Sequence, residues 1–109
     1  MAKPVFFLKR NDTSRAIKFY PQANPASNFA GATVVFNMAD QAGGKKINRG
    51  TAAIGTDSDG TYFAYEWAAT DTNTEGDFDA EFEATLSDGS VETYPNDNYI
   101  NVKIMKDLG

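Results

Sequence analysis

Apolar and polar side chains alternate most regularly in the last third of the chain. Five apolar residues are separated from one another by single acidic or hydroxyl residues: Phe78, Ala80, Phe82, Ala84 and Leu86. A period of two puts alternate side chains on opposite faces of a strand, so this segment predicts a strand with one buried and one solvated face. Asp88–Gly89 follows and predicts a tight hairpin, because glycine adopts positive φ at no steric cost.

Similar alternation, or a β-branched apolar run, predicts the other strands. These strands cover Pro4–Lys9, Arg15–Tyr20, Ala32–Met38, Lys46–Asn48, Thr51–Ile54, Thr61–Ala68 and Tyr99–Met105. The first is expected at a sheet edge, because its starting proline lacks a backbone donor. Segments rich in glycine, proline, asparagine and aspartate predict the connections: Asn11–Ser14, Pro21–Asn28, Asp40–Lys46, Asp57–Gly60 and Thr70–Glu75. No segment predicts a helix.

This spacing of strands and turns predicts an all-β fold, an antiparallel immunoglobulin-like β-sandwich of about seven to nine strands. The cysteines of antibody domains are missing, so only the architecture is implied. At 109 residues, the chain fits a single β-sandwich domain over residues 1–109. The expected core lies on the apolar side of the alternating runs: Val34, Phe36, Phe63, Tyr65, Trp67, Phe78, Phe82, Leu86, Ile100, Val102 and Ile104.

The composition removes several kinds of chemistry. The chain has no cysteine, which excludes disulfides and thiolate sites, and no histidine, the commonest general base and transition-metal ligand. We therefore expect no enzymatic activity, no catalytic residues, no cofactor and no transition-metal requirement. No apolar run approaches the length of about 18 residues that a membrane-spanning helix needs, so no membrane association is expected.

The charges are unevenly distributed along the chain. Residues 1–50 hold eight basic and two acidic side chains, whereas residues 51–109 hold two basic and thirteen acidic ones. In one interpretation, basic and acidic strands lie side by side and pair across the sheet. In the other, a positive and a negative patch meet on neighbouring copies of the protein. The net charge of −5 and the lack of a basic–aromatic stripe argue against nucleic acid as a partner.

The acidic strand also permits an enzyme-like interpretation. Asp79, Glu81 and Glu83 follow one another on one strand face at about 6.6 Å, two strand rises. That spacing is near the carboxylate separation of inverting glycosidases, about 6.5–9.5 Å. A glycosidase must raise the pKa of one carboxyl by burial, however, and an open strand face does not provide burial. The pattern therefore favours a solvated face.

A calcium site is a second alternative. The segment from Asp71 to Gly76 has the oxygen donors and glycine of the first half of a calcium-binding loop, but the bidentate glutamate is replaced by Phe82. A looser site between two loops would use Asp57, Asp59, Asp71, Glu75 and Asp77.

Aromatic residues permit a third alternative. Tyr62, Tyr65 and Trp67 would form a platform for stacking sugars if they were exposed. The alternation favours Phe63, Tyr65 and Trp67 as core residues instead, because the strand needs one buried face.

The sequence also resembles a known group of proteins. Five segments carry the resemblance in this order: Phe7–Ser14, Gly31–Met38, Asp77–Thr85, Glu92–Pro95 and Tyr99–Val102. They resemble the small β-sandwich proteins of tailed-bacteriophage virions, and in particular the N-terminal domain of phage baseplate upper proteins. The larger baseplate relatives continue into helical and fibre-like regions. This chain is therefore expected to be a complete small virion protein or the sandwich module alone.

The resemblance implies a non-enzymatic structural component of the virion, in the tail, baseplate, neck or head, that docks onto other virion proteins and copies of itself. The expected docking surface is the basic N-terminal segment: Lys3, Lys9, Arg10, Arg15 and Lys18. A carbohydrate-binding or host-adhesion module, with a host surface glycan as partner, is the alternative function. Solvent-exposed coplanar rings would favour that alternative.

Overall fold

Eight β-strands form the regular structure of this computed structural model, which describes residues 4–21, 29, 31–95 and 98–108. In chain order they are β1 (Val5–Lys9), β2 (Ile17–Phe19), β3 (Thr33–Asp40), β4 (Lys45–Asp57), β5 (Gly60–Tyr65), β6 (Gly76–Thr85), β7 (Val91–Tyr94) and β8 (Ile100–Met105). The predicted loop after Pro21 lies outside the described residues. No helix in the described ranges is long and apolar enough to cross a membrane.

The strands form two layers that share β4. Hydrogen bonding connects them in the order β1-β8-β6-β3-β4-β5-β2, and β7 pairs with the end of β6 beside β8. The first layer contains β1, β8, β6, β7, β3 and the start of β4, and the second contains the rest of β4, β5 and β2. This is an all-β sandwich with eight strands in the described residues, consistent with the predicted immunoglobulin-like class.

A single long strand replaces the two short strands that were predicted on either side of Gly50. β4 pairs with β3 as far as Ala52 and with β5 from Ala53 onward, so it passes from the first layer to the second. The prediction was wrong here because glycine and polar residues resemble a break in a strand, although they also occur at bulges. Two irregularities in the pairing of β3 with β4 lie in this region.

The first strand lies at the edge of the first layer, as predicted. Its only partner in the described chain is β8, and the two strands run parallel, with Val5 opposite Asn101 and Phe7 opposite Lys103. All other strand pairs are antiparallel. The expectation of a purely antiparallel sandwich therefore fails at this one pair, which joins the first and last strands of the chain.

Aromatic rings from both layers meet in the core. Phe36 on β3 stacks on Tyr65 of β5 with ring centroids 4.7 Å apart, and Phe82 on β6 lies 5.9 Å from Phe63 on β5. All the predicted core residues are buried except Leu86, which is half-buried against the core. The alternation therefore identified the inward face of each strand correctly.

The Asp88–Gly89 hairpin forms as predicted. Gly89 has a φ of 90°, and the Leu86 backbone N–H donates to the Ser90 carbonyl at 2.8 Å. Asp88 Oδ1 accepts hydrogen bonds from the Ser90 hydroxyl at 2.6 Å and from the Ser90 backbone N–H at 2.9 Å. These bonds favour the carboxylate and lower the pKa of Asp88. The turn is thus fixed by its own side chains.

Candidate functional site

Three of the five basic residues in the predicted docking surface have partners within the chain: Arg10, Arg15 and Lys18. The other two are Lys3 and Lys9. Lys3 lies outside the described residues, and Lys9 ends β1 with an exposed side chain. The backbone N–H of Lys9 donates to Asp12 Oδ2 at 3.3 Å, and its carbonyl accepts from the Asp12 N–H at 3.0 Å. The Lys9 ammonium makes no contact with a partner within the described ranges.

Arg15 covers part of the exposed edge of β1. Its guanidinium donates a hydrogen bond to the Phe7 carbonyl and lies over the Phe6 ring, 4.7 Å from the centroid. Sheet edges with unpaired backbone groups promote unwanted pairing, and native proteins protect such edges. Arg15 and Asp12 provide this protection at β1. Arg15 therefore stabilises the domain itself, and the docking role predicted for it from sequence stays a prediction.

Arg10 and Lys18 also have acidic partners within the chain. Arg10 lies 3.5 Å from Glu75, and Lys18 lies 3.6 Å from Asp57. Each of these pairs joins the basic first half of the sequence to the acidic second half, as does the 2.7 Å pair of Arg49 with Glu83. The structure therefore favours the interpretation in which basic and acidic segments pair across the fold. Exposed pairs contribute only about 0.2–1 kcal/mol each to the free energy of unfolding, so these pairs add little to the stability of the domain.

Asp57 is the centre of a small surface cluster with Lys18, Tyr20 and Tyr62. The Tyr20 hydroxyl donates to Asp57 Oδ2 at 2.8 Å, and the Lys18 ammonium lies 4.2 Å from the Tyr62 ring centroid. The hydrogen bond raises the pKa of Tyr20 to about 12. The same bond, followed by the Asp59 backbone N–H, lowers the pKa of Asp57. Asp57 is thus held as a structural carboxylate.

The acidic loops that suggested calcium do not converge. Asp71 accepts hydrogen bonds from Tyr65 and Ala68, whereas Asp77 lies 3.5 Å from Lys103. The described ranges contain no group of three or more acidic side chains placed to hold a metal ion. The looser site proposed between the 57–59 and 71–77 loops is therefore absent from this arrangement.

The aromatic platform suggested by Tyr62, Tyr65 and Trp67 does not exist as an exposed surface. Tyr65 and Trp67 are buried, and the Trp67 indole N–H donates to the Arg15 carbonyl at 3.0 Å. Tyr62 meets Tyr20 edge-on at 5.8 Å. The core interpretation of this strand was correct.

Three exposed apolar side chains form a small surface at the edge of the first layer, which we call the β1 patch. Val5, Phe7 and Met105 are 47%, 49% and 38% exposed. Val5 and Phe7 are two residues apart on one strand face, and the pairing of Lys9 with Met105 places Met105 diagonally next to Phe7. Lys103 lies opposite Phe7, and Lys9 lies opposite Met105. The patch is thus apolar with basic neighbours.

A groove of about 450 Å³ crosses the outer face of the first layer. Its walls and floor come from β3, the turn after β3, β4, β6 and the segment before β8: Asn37, Met38, Ala39, Asp40, Gln41, Gly43, Lys45, Asn48, Arg49, Asp79, Glu81, Glu83 and Tyr99. The acidic residues of β6 lie on the outer face, as the alternation predicts. They form part of a concave surface, however, and not of the open strand face that was expected.

The register explains the shape of the groove. Glu81 lies opposite Asn37, and Asp79 lies opposite Ala39, which in turn lies opposite Lys45. Since Ala39 is small, longer polar side chains rise on both sides of it. Ala39 on β3 therefore forms the floor of the groove, and the polar side chains of β4 and β6 form its two sides.

A β-bulge fixes Arg49 in the wall of the groove. Phe36 pairs with Gly50 and Met38 with Ile47, so two residues of β4 face Asn37 alone. Asn37 Oδ1 fills the bulge by accepting the Arg49 backbone N–H at 2.8 Å. Arg49 has a φ of 55°, a left-handed conformation that costs a non-glycine residue about 1–2 kcal/mol. The sequence pattern did not predict this site, because alternation carries no signal for a bulge.

Comparison with known proteins finds a similar fold but indicates no activity. No family model and no curated protein matches the sequence. The structure is similar to CopC from Methylosinus trichosporium OB3b, with a TM-score of 0.54, 11% identity, and coverage of 100% of this chain and 89% of that chain. At this identity the similarity concerns the fold alone, and a shared sandwich hosts many unrelated functions.

Proposed function

We propose that this protein is a non-enzymatic structural component of a tailed-phage virion, which docks onto another virion protein through the β1 patch. Two lines support the proposal. The five segments named from the sequence resemble small virion sandwiches, and the patch offers a contact surface that the described residues leave exposed. The observation that carries the docking role is the exposure of Val5, Phe7 and Met105 on one face of β1 and β8, with Phe7 between the other two.

Contiguous apolar side chains on a surface mark interaction sites when they form a patch, whereas single ones are ordinary. Val91 and Tyr99 are also exposed, but Val91 lies on β7 and Tyr99 lines the groove. Burying the Phe7 and Met105 side chains against a partner would gain about 1 kcal/mol each, since about half of each is already covered. This contribution is enough to matter in a particle where many copies dock together.

The chemistry around the patch indicates the kind of partner. Lys9 flanks the apolar residues and makes no ion pair in the described ranges, whereas Lys103 lies 3.5 Å from Asp77, so a complementary surface would carry an acidic side chain beside an apolar depression. Arg10, Arg15 and Lys18, which the sequence also suggested for docking, each have a partner within their own chain. Lys9 remains the basic residue best placed for docking. Rim charges of this kind mainly set the association rate and its salt dependence.

The non-enzymatic part of the proposal rests on where the carboxylates lie. Asp71 is the one carboxylate buried in the described ranges, and it is engaged by the Tyr65 hydroxyl and the Ala68 N–H. The other carboxylates in these ranges are half-buried or exposed, and an open, solvated face does not provide the burial that a general acid needs.

The experiment replaces Phe7 and Met105 together by serine in the virus that encodes the chain. We expect the amount of this protein in purified particles, measured by quantitative mass spectrometry, to fall on the order of tenfold. Val91→Ser is the matched control, because Val91 is 57% exposed but lies on β7 outside the patch. Occupancy equal to wild type in the double variant, with both variants folded, would contradict docking through the patch.

A further inference from the structure

The groove on the first layer is a second surface, separate from the β1 patch, and its side chains are arranged for a polar ligand. Glu81 lies opposite Asn37 on β3, and the bulge brings Arg49 beside Asn37. The antiparallel pairing of β6 with β8 extends toward Tyr99, since Ala80 lies opposite Ile100. Tyr99, Glu81, Asn37 and Arg49 therefore form one row across the segment before β8 and the strands β6, β3 and β4.

Several members of this row are already fixed in position before any ligand arrives. The Arg49 guanidinium lies 2.7 Å from Glu83, and the Arg49 backbone is held by Asn37 at 2.8 Å. Side chains that are ordered in advance lose little entropy on binding. The left-handed backbone of Arg49 is strain that the fold maintains at this wall, and such strain is concentrated at binding and active sites.

Other members are available to a ligand. The Glu81 carboxylate makes no hydrogen bond or ion pair in the described part of the chain, and Tyr99 is 46% exposed with its ring unstacked. Lys45 and Asn48 stand on the opposite wall with exposed side chains. The groove thus presents acceptors on β6, donors on β4, and an apolar ring face at one end.

We infer that this groove binds a short uncharged oligosaccharide. A saccharide has hydroxyl groups that donate and accept on every side, which matches alternating carboxylates, amides and cationic donors. Its apolar ring faces stack on exposed aromatic rings, and Tyr99 offers one. The volume of about 450 Å³ lies within the usual range for small-molecule sites.

The charge of the groove favours an uncharged sugar over an acidic one. Its lining holds four carboxylates (Asp40, Asp79, Glu81 and Glu83) and two cationic side chains (Lys45 and Arg49). Glu83 neutralises Arg49 directly. A uronic acid or a phosphorylated sugar would place its negative charge beside Glu81, whose carboxylate makes no ion pair in the described part of the chain, and this is unfavourable.

The test uses the whole chain and immobilised neutral trisaccharides, namely maltotriose, cellotriose and tri-N-acetylchitotriose, with isothermal titration for any that is retained. We expect Glu81→Gln and Tyr99→Ala each to weaken binding on the order of tenfold. Glu66→Gln is the matched control, because Glu66 is exposed and lies outside the groove. Circular dichroism confirms that all variants are folded.

Three results would overturn the inference: no retention on any of the three sugars at millimolar concentration, equal weakening by Glu66→Gln, or selective binding of a lysine-rich peptide that Glu81→Gln abolishes. The last result would make the groove a docking site for a basic protein segment. Failure here is distinguishable from failure of virion docking, since the Phe7 and Met105 double variant should retain full sugar binding.

Discussion

The Tyr65 hydroxyl donates a hydrogen bond of 2.6 Å to Oδ2 of Asp71, and the same oxygen accepts the Ala68 backbone N–H at 2.7 Å. Asp71 is only 8% exposed, although the sequence predicts a polar loop for its segment. A buried carboxylate is tolerated only where donors satisfy it. The two bonds therefore tie the turn after β5 to the core.

Removing this carboxylate should destabilise the protein. Asp71→Ala leaves the Tyr65 hydroxyl and the Ala68 N–H buried without an acceptor, so we expect the free energy of unfolding to fall by about 1–3 kcal/mol. Asp71→Asn retains one carbonyl oxygen as an acceptor and should cost less than Asp71→Ala. Urea unfolding followed by tryptophan fluorescence measures both. A free energy of unfolding that Asp71→Ala leaves unchanged would show that the hydrogen bonds to Asp71 contribute nothing.

The same pair should make the protein sensitive to alkali. Burial, followed by the hydrogen bond to Asp71, raises the pKa of Tyr65 well above its ordinary value of 10.0. Above pH 10 the folded state therefore binds more protons than the unfolded state, so the free energy of unfolding should fall as the pH rises further. Tyr65→Phe should reduce this decline. A smaller decline should persist in Tyr65→Phe, because the pKa of Tyr20 is also raised, to about 12.

Unfolding measured at several pH values above and below 10, in wild type and in Tyr65→Phe, tests this prediction. Parallel pH dependences in the two proteins would contradict it.

The core and most strands were predictable from sequence because alternation is a local signal. Phe78 and Phe82 face inward for the same reason that Glu81 faces outward, and no long-range information is needed. The pairing of β1 with β8 was not predictable, since it joins the two ends of the chain. Nothing local to Phe7 indicates that Lys103 lies opposite it.

The candidate sites were less predictable, because side-chain partners decide them. Arg15 is a charged residue in a basic segment, and only the structure shows its guanidinium on the Phe7 carbonyl. The groove depends on a bulge at Asn48 and Arg49, which the sequence shows only as a break in alternation before Gly50. A bulge and a turn have the same local composition, so the two could not be distinguished.

Phe82 should be among the most important residues for stability. Its side chain is fully buried, with the rings of Phe36 and Phe63 at 4.9 Å and 5.9 Å. Phe82→Ala removes these contacts and leaves a cavity, so we expect a loss of about 3–5 kcal/mol. Phe7→Ala is the control of matched chemistry, because half of Phe7 is exposed, and it should cost far less. A thermal melt that Phe82→Ala leaves unchanged would show that the core lies elsewhere.

Gly50 should tolerate no side chain, because β4 crosses under Tyr65 at this point. A Cβ added to Gly50 would lie 2.7 Å from Tyr65 Cε1 and 3.0 Å from Ile47 Cγ2. Tyr65 cannot retreat, since it stacks on Phe36 and its hydroxyl is bound to Asp71. We expect Gly50→Ala to cost about 1–3 kcal/mol, as overpacked cores do.

Gly55 provides the comparison for Gly50. A Cβ there would lie 2.5 Å from Tyr62, but Tyr62 is only half-buried beneath the Lys18 ammonium and has room to move. Gly55→Ala should therefore destabilise the protein less than Gly50→Ala in the same urea titration. If Gly55→Ala proves the more costly, the rigidity of the Tyr65 ring is not what requires glycine on β4.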